Sequence, residues 1–223
     1  MSEHVLDFVE VNPTNPPKAL VIWLHGLGDS GNGFAPIVPE LMIPEELAVR
    51  FIFPHAPVRP VTINNGMKMR AWYDITSLDF NNRADSKGVL ESSALVEQLI
   101  DAEIAKGIPA DKIVLAGFSQ GGVIALHLGT RIEKKLAGIM SLSSYMSEPE
   151  KLAAEAKQTN KSTPIFIGHG QHDDVVPMIM GNAARQVLEG NQYAVEWHEY
   201  QMQHNVCMQE LNDISAWLQQ RFA

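Results

Sequence analysis

Ser119 sits in Gly117-Phe118-Ser119-Gln120-Gly121-Gly122, a setting that points directly to chemistry. Four apolar residues, Ile113-Val114-Leu115-Ala116, lead into it as a short buried strand, and Val123-Ile124-Ala125-Leu126-His127-Leu128 follows as a helix. A strand, a G-x-S-x-G turn and a helix together read as a nucleophile elbow. The spacing has a steric cause. So sharp a turn leaves no room for Cβ atoms on both sides of the Ser, and Gly117 and Gly121 let the flanking backbone approach. The hydroxyl is then held out at the carboxyl edge of a sheet, near a helix N-terminus whose free N–H groups stabilise negative charge. By itself the pattern also fits a Gly-rich turn capped by a Ser, so the rest of the chain must supply a base, an acid and an oxyanion hole.

Three other strand ends offer those parts. After Leu24 comes His25-Gly26-Leu27-Gly28-Asp29-Ser30-Gly31-Asn32-Gly33, after Ile167 comes Gly168-His169-Gly170-Gln171-His172-Asp173-Asp174, and after Tyr200 comes Gln201-Met202-Gln203-His204-Asn205. In order they supply a flexible backbone donor, an acid and a histidine. The chain order Ser119, Asp, His204 is that of a hydrolase triad. Ser119 would attack an acyl carbon, His204 would take and return the proton, and the acid, Asp173 or Asp174, would orient the imidazole. The glycines of the first loop would free the N–H of Leu27 to face an oxyanion together with the N–H of Gln120. This chemistry calls for no cofactor and no metal.

The same loop, Gly26-Leu27-Gly28-Asp29-Ser30-Gly31, matches G-x-G-x-x-G, yet a dinucleotide site expects an acidic residue at the end of the next strand. Here that strand ends Phe53-Pro54-His55, and Asp29 would repel a pyrophosphate. His169, His172, Asp173 and Asp174 cluster in sequence but lack a metal-ligand spacing. His25 and His169 each precede a Gly at a strand end, where bonding to loop backbone is the expected job. His198 reads as a surface or packing residue, and His127 and His4 carry no chemical signal. Cys207 has no elbow around it and reads as a packed thiol.

These parts need a frame that brings strand ends together. Ala19 to Leu24, Arg50 to Phe53, Ala137 to Leu142, Pro164 to Gly168 and Tyr193 to Tyr200 read as further strands. Helices are expected over Ser86 to Lys106, Pro149 to Lys157, Pro177 to Leu188 and Asn205 to Phe222, with a short proline-broken one around Phe34 to Leu41. In the first of these, Leu90, Ala94, Leu95, Leu99 and Ile104 fall near one face, Asp85 or Ser86 can cap the start, and Gly107-Ile108-Pro109 ends it. Strand-then-helix alternation predicts an α/β fold: a mostly parallel central sheet with helices on both faces. Val61 to Phe80 breaks the alternation and reads as a small hairpin over one sheet end. It leaves too little spare chain for a large lid domain.

At 223 residues, with 45% hydrophobic and 19% charged side chains, the chain reads as a single domain spanning 1–223 with one large core. Its net charge of −9 argues against nucleic acid or an anionic membrane as partner. One cysteine fits a reducing compartment. The first residues have no basic start and no apolar core, so no signal peptide is expected, and no apolar run reaches membrane-spanning length. A cytoplasmic protein is the expectation.

His25-Gly26-Leu27-Gly28-Asp29, Arg70-Ala71-Trp72-Tyr73-Asp74, Gly117 to Gly122 and His169 to Pro177 together resemble one family, the small carboxylesterases and acyl-protein thioesterases of the α/β-hydrolase fold. The similarity runs from the first buried strand to the last helix. It implies Ser119 as nucleophile, Asp173 as acid, His204 as base, and the N–H groups of Leu27 and Gln120 as the oxyanion hole. It implies a substrate pocket around Leu27, Met69, Trp72, Tyr73 and Val176, with the Trp72-Tyr73 region on the acyl side, and a homodimer. The implied substrates are carboxylic esters and thioesters, with acylated protein or lysophospholipid as the alternative; the lack of room for a large lid and the apolar residues of the Met67 to Tyr73 excursion set the expectation of short to medium acyl chains. A catalytically idle hydrolase fold used for binding is the non-enzyme alternative, against which the complete set of parts argues.

Overall fold

Every residue from Ala19 to Leu24 is buried, which a strand achieves only when both faces of its sheet are covered. The computed structural model describes residues 6–80 and 83–223, so His4 and the first residues lie outside the described residues. The strands are β1 (Phe8–Val11), β2 (Ala19–Leu24), β3 (Val49–Pro54), β4 (Val58–Val61), β5 (Met67–Arg70), β6 (Ile113–Phe118), β7 (Gly138–Leu142), β8 (Ile165–Gly170) and β9 (Val195–Tyr200). The helices are α1 (Gly31–Phe34), α2 (Ser86–Ala105), α3 (Gln120–Arg131), α4 (Leu152–Glu155), α5 (Met178–Gly190) and α6 (Met208–Phe222).

Seven strands form one sheet in the order β1-β3-β2-β6-β7-β8-β9. All neighbours pair in parallel except β1, which lies antiparallel on β3. Side-chain alternation then builds two cores. Leu20, Ile22 and Leu24 of β2 join Leu115 and Ile139 beneath α2, α3 and α5. Val21 and Trp23 join Phe51, Phe53 and Phe166 beneath Phe34, Leu41 and the Leu211, Ile214, Trp217 and Leu218 face of α6. Helices therefore cover both faces, as the alternation predicted. From β2 the chain moves to β3 on one side and returns to β6 on the other. The carboxyl ends of β2 and β6 thus form a topological switch point, where an open α/β sheet leaves a crevice.

The hairpin expected between Val61 and Phe80 is β4 with β5, paired from Val58 opposite Arg70 to Val61 opposite Met67. Strand β1 carries no sequence signal. Three of its residues are half-buried and the fourth, Glu10, is exposed and reaches Arg50 on β3. The expected apolar stripe of α2 is corrected by one position. Leu90 is 59% exposed, while Val89, Ser92, Val96, Leu99, Ile100 and Glu103 are buried. The polar residues take inward places because each is bonded there: Ser92 Oγ donates to the Trp72 carbonyl, and Glu103 pairs with Arg50 and Lys106. Asp85 caps α2 by accepting from the amides of Lys87 and Gly88. The segment expected as one helix over Pro149 to Lys157 is a tight turn, Pro149–Lys151, running into the single turn of α4. Helix α6 begins at Met208, not Asn205, which leaves His204 on a free loop. Among the described residues no helix is long and apolar enough to cross a membrane.

Candidate active site

Ser119 adopts φ 52° and ψ −118°, a backbone conformation that costs a non-glycine residue about 1–3 kcal/mol and persists only where the surroundings hold it. Those surroundings are specific. The Ser119 amide donates to the Leu142 carbonyl at 2.8 Å. Its carbonyl accepts from Ser144 Oγ at 2.6 Å and from the Gly122 amide at 2.9 Å. A Cβ on Gly117 would overlap the Gly121 backbone, and one on Gly121 would overlap the carbonyls of Leu24 and His25. The two elbow glycines are there for contact between backbones.

The loops after β8 and β9 bring the other two residues to this hydroxyl. His204 Nε2 lies 3.0 Å from Ser119 Oγ, and His204 Nδ1 lies 2.7 Å from Asp173 Oδ2. A carboxylate only accepts, so Nδ1 carries the proton, and Nε2 of the neutral ring is free to accept the Ser119 hydroxyl. Phe118 packs on the imidazole with ring centroids 4.8 Å apart. Asp173 is buried, and its Oδ1 accepts from the amides of Val175 and Val176 at 2.9 and 2.8 Å. Burial alone would raise this carboxyl; the bonds from His204 and the two amides outweigh it and hold the group below its usual value. Asp174 is exposed, so of the two adjacent carboxylates only Asp173 meets His204.

His169 stands behind the acid, fully buried, donating from Nε2 to the Val176 carbonyl at 2.8 Å with Asp173 Oδ2 3.5 Å away. Burial keeps it neutral by lowering its pKa. His25 likewise serves its loop: Nδ1 donates to the Gly26 carbonyl at 2.6 Å and Nε2 accepts from the Ala56 amide at 3.0 Å. His198 stacks on Phe166, and His172 bonds Gln201 at the surface. Among the described residues no group of three or more His, Cys, Asp or Glu side chains is placed to hold a metal ion.

The loop after β2 turns at Gly28, whose φ of 77° favours glycine and whose amide is committed to the Arg70 carbonyl at 2.8 Å. Leu27, just before it, lines a cleft of about 250 Å3 over Ser119. Gln120 opens α3, so its amide has no carbonyl one turn earlier in the helix to bond. Of the expected pocket residues, Leu27, Tyr73 and Val176 line the cleft. Trp72 and Met69 do not. Trp72 is wholly buried, with its amide on Gln120 Oε1 at 2.7 Å and its indole N–H on the His25 carbonyl at 2.9 Å. Met69 stands on β5 behind Gly28, its sulfur accepting from Asn64. Ile75, Arg83, Phe118, Tyr145 and Val175 line the cleft without having been expected. Tyr145 follows the carboxyl end of β7, so inspecting that strand end as well would have found it; Arg83 carries no such signal.

A parallel sheet with a Ser at a strand-to-helix elbow, and an Asp and a His in that order at later strand ends, defines an α/β-hydrolase. Comparison with known proteins narrows the class: residues 7–221 match the phospholipase/carboxylesterase family, and the chain belongs to it. It is 44% identical over 212 residues to acyl-protein thioesterase 1 of Neurospora crassa, covering 91% of this chain and 86% of that one. The crystal structure of SOBER1 from Arabidopsis thaliana superposes with a TM-score of 0.87 at 33% identity, covering 92% of this chain and 99% of that one. Acyl-protein thioesterase 2 of Zea mays gives a TM-score of 0.87 at 28% identity, over 97% and 99% of the two chains. The chain is accordingly an enzyme of the ester-hydrolase class.

Proposed function

We propose that this single-domain chain is a serine hydrolase cleaving carboxylic esters of short to medium acyl chain, and thioesters with them, through an acyl-enzyme. The observation that carries the reading is the continuous line from Asp173 through His204 to Ser119 Oγ, with bonds of 2.7 and 3.0 Å. Ser119 Oγ attacks the acyl carbon while His204 Nε2 takes its proton, and the negative carbonyl oxygen turns to the amides of Leu27 and Gln120. Collapse of this intermediate expels the alcohol or thiol, which receives the proton from His204. Water then repeats the sequence on the acyl-enzyme and releases the acid. The cleft of about 250 Å3 lies under the range of about 300–1,000 Å3 usual for drug-sized ligands, which supports a modest acyl group.

A second reading, acyl-protein thioesterase or lysophospholipase, is favoured by a further apolar cavity of about 150 Å3 between Phe80, Met146 and Met180. Phe80 of that cavity meets Tyr145 of the cleft edge-on at 5.4 Å, so the two lie side by side across one ring contact, and a longer acyl chain would have to displace that contact to reach the second. A rate profile over acyl length with matched oxygen esters and thioesters separates the two. Ser119→Ala should lower kcat about 10⁴-fold and abolish labelling by a fluorophosphonate. Labelling of Cys207 or another Ser in that variant would overturn the assignment. The single cysteine and the lack of a spanning helix among the described residues support a cytoplasmic enzyme. The homodimer implied by the family resemblance belongs to the same reading, with light scattering as its test.

A further inference from the structure

Three residues of the cleft lining carry polar groups that have no part in acyl transfer: Tyr73, Tyr145 and Arg83. The two buried phenols meet at 2.8 Å. Two O–H groups facing each other use one hydrogen between them, so the second hydrogen of the pair has no acceptor among the described residues. Arg83 lies over the Phe80 ring, 4.5 Å from its centroid, and its buried Nε has no hydrogen-bond partner among the described residues. Among the described residues no carboxylate pairs with this guanidinium, although the chain holds 26 acidic side chains against 17 basic ones. Arg50 and Arg131, by contrast, are both paired. Burial raises the pKa of both phenols and the Arg83 charge acts against it on each, which puts the guanidinium within electrostatic reach of the pair. Asp29, the carboxylate of the cleft lining, is packed against Gly33.

From this cluster we infer that the cleft contains a subsite for an anionic substituent of the substrate, a carboxylate or a phosphate. Its oxygens accept from the Arg83 guanidinium and from the spare hydroxyl hydrogen of the Tyr73–Tyr145 pair. The planar fork of an arginine matches either group, and a low-dielectric wall strengthens the contact. The inference rests on the ester-hydrolase reading of Ser119 and adds which esters the site selects. A carboxylate on the acyl half and a phosphate on the alcohol half offer the same chemistry to these donors.

Two matched substrate pairs test it on the whole enzyme. The acyl pair is the p-nitrophenyl half-ester of adipic acid beside the same ester of its half-amide. The alcohol pair is acetylated glycerol phosphate beside acetylated glycerol. In one pair the anionic member should have a kcat/KM higher by about tenfold or more, the scale of a charge-assisted bond, and the pair that shows it identifies the source. That ratio should shrink as salt is raised, because screening weakens the charged contact and not the neutral one. In Arg83→Met it should collapse to about one, with Arg83→Lys between, since an ammonium keeps charge and loses the fork. Hydrolysis of the neutral esters with no anionic preference in either pair overturns the subsite and leaves the hydrolase reading intact. A preference that survives both high salt and Arg83→Met also overturns it. Absence of hydrolysis of every ester would instead remove the reading on which it rests.

Discussion

Glu210 sits at the start of α6 with no hydrogen-bond partner among the described residues. It is buried, no described residue donates to either carboxyl oxygen, and Oε1 occupies the place where a Cβ on Gly168 would go. Burial, reinforced by the like charge of Asp213, pushes its pKa from 4.5 up to about 8. In that interval the unfolded chain has lost the proton and the folded one keeps it. The folded state then binds more protons, so stability falls as pH rises, by about 1.4 kcal/mol per pH unit. The lower part of the interval is obscured by the buried imidazoles. Burial lowers the pKa of His25, His169 and His127, the last to about 4, and each makes stability rise with pH until the free value of 6.5 is passed. Above that value the unfolded imidazoles lose their remaining protons over about one pH unit, so their opposing contribution fades and the carboxyl dominates toward pH 8.

Over that window its loss amounts to about 2 kcal/mol. Glu210→Gln keeps the shape and removes the titration. Urea unfolding of both proteins at several pH values between 6.5 and 8 gives the difference directly, and other groups common to the two cancel in it. The variant should gain about 2 kcal/mol on the wild type across the window. Two curves that stay parallel there would refute the idea of an unpartnered, protonated carboxyl in the core.

Asp173→Asn should lower kcat by about 10³- to 10⁴-fold, because an amide facing His204 Nδ1 favours the wrong tautomer, while Asp174→Asn keeps most of the turnover; steady-state kinetics on one ester decides between them. Gln120 accepts from the Trp72 amide and donates to the Tyr73 carbonyl, both at 2.7 Å. Gln120→Glu sets a carboxylate oxygen against that carbonyl and should cost about 1–3 kcal/mol in denaturant unfolding, with a matching fall in kcat/KM. Gly121→Ala drives a Cβ into the carbonyls of Leu24 and His25 and should destabilise by about 1–3 kcal/mol, read as a lower Tm.

The parallel sheet and the elbow were legible because buried strands and Gly-flanked turns announce themselves locally. Ala19 to Leu24 and Ile113 to Ala116 are unbroken apolar runs, and Gly117 and Gly121 mark a backbone contact that tolerates nothing larger. The sequence also indicated which strand ends carry a His or an Asp. It could not choose between Asp173 and Asp174 without the family resemblance. That choice depends on which carboxylate turns inward to meet the amides of Val175 and Val176, a matter of loop geometry rather than residue type. Arg83 and Tyr145 were missed because they reach the cleft from connections between elements, where no periodicity exists to read.

The two clearest misreadings share one physical origin. The face of α2 was misphased by counting only apolar residues, and Trp72 was set in the pocket because an aromatic near a catalytic loop suggests a wall. In the structure Ser92 on α2 donates to the Trp72 carbonyl, the Trp72 amide donates to Gln120 Oε1, and its indole donates to the His25 carbonyl. One buried residue is thus tied at three polar points, two on its backbone and one on its ring, to the long helix, the elbow and the loop before Leu27. A buried donor or acceptor without a partner costs about 1–3 kcal/mol, so these residues hold their inward places as a set. The set also ties the helix-opening residue Gln120 to the loop that carries Leu27, the pair proposed above as the oxyanion site. Hydrophobic patterning cannot detect it, since each polar member reads as a surface residue until its partner, between 20 and 48 positions away, is in place.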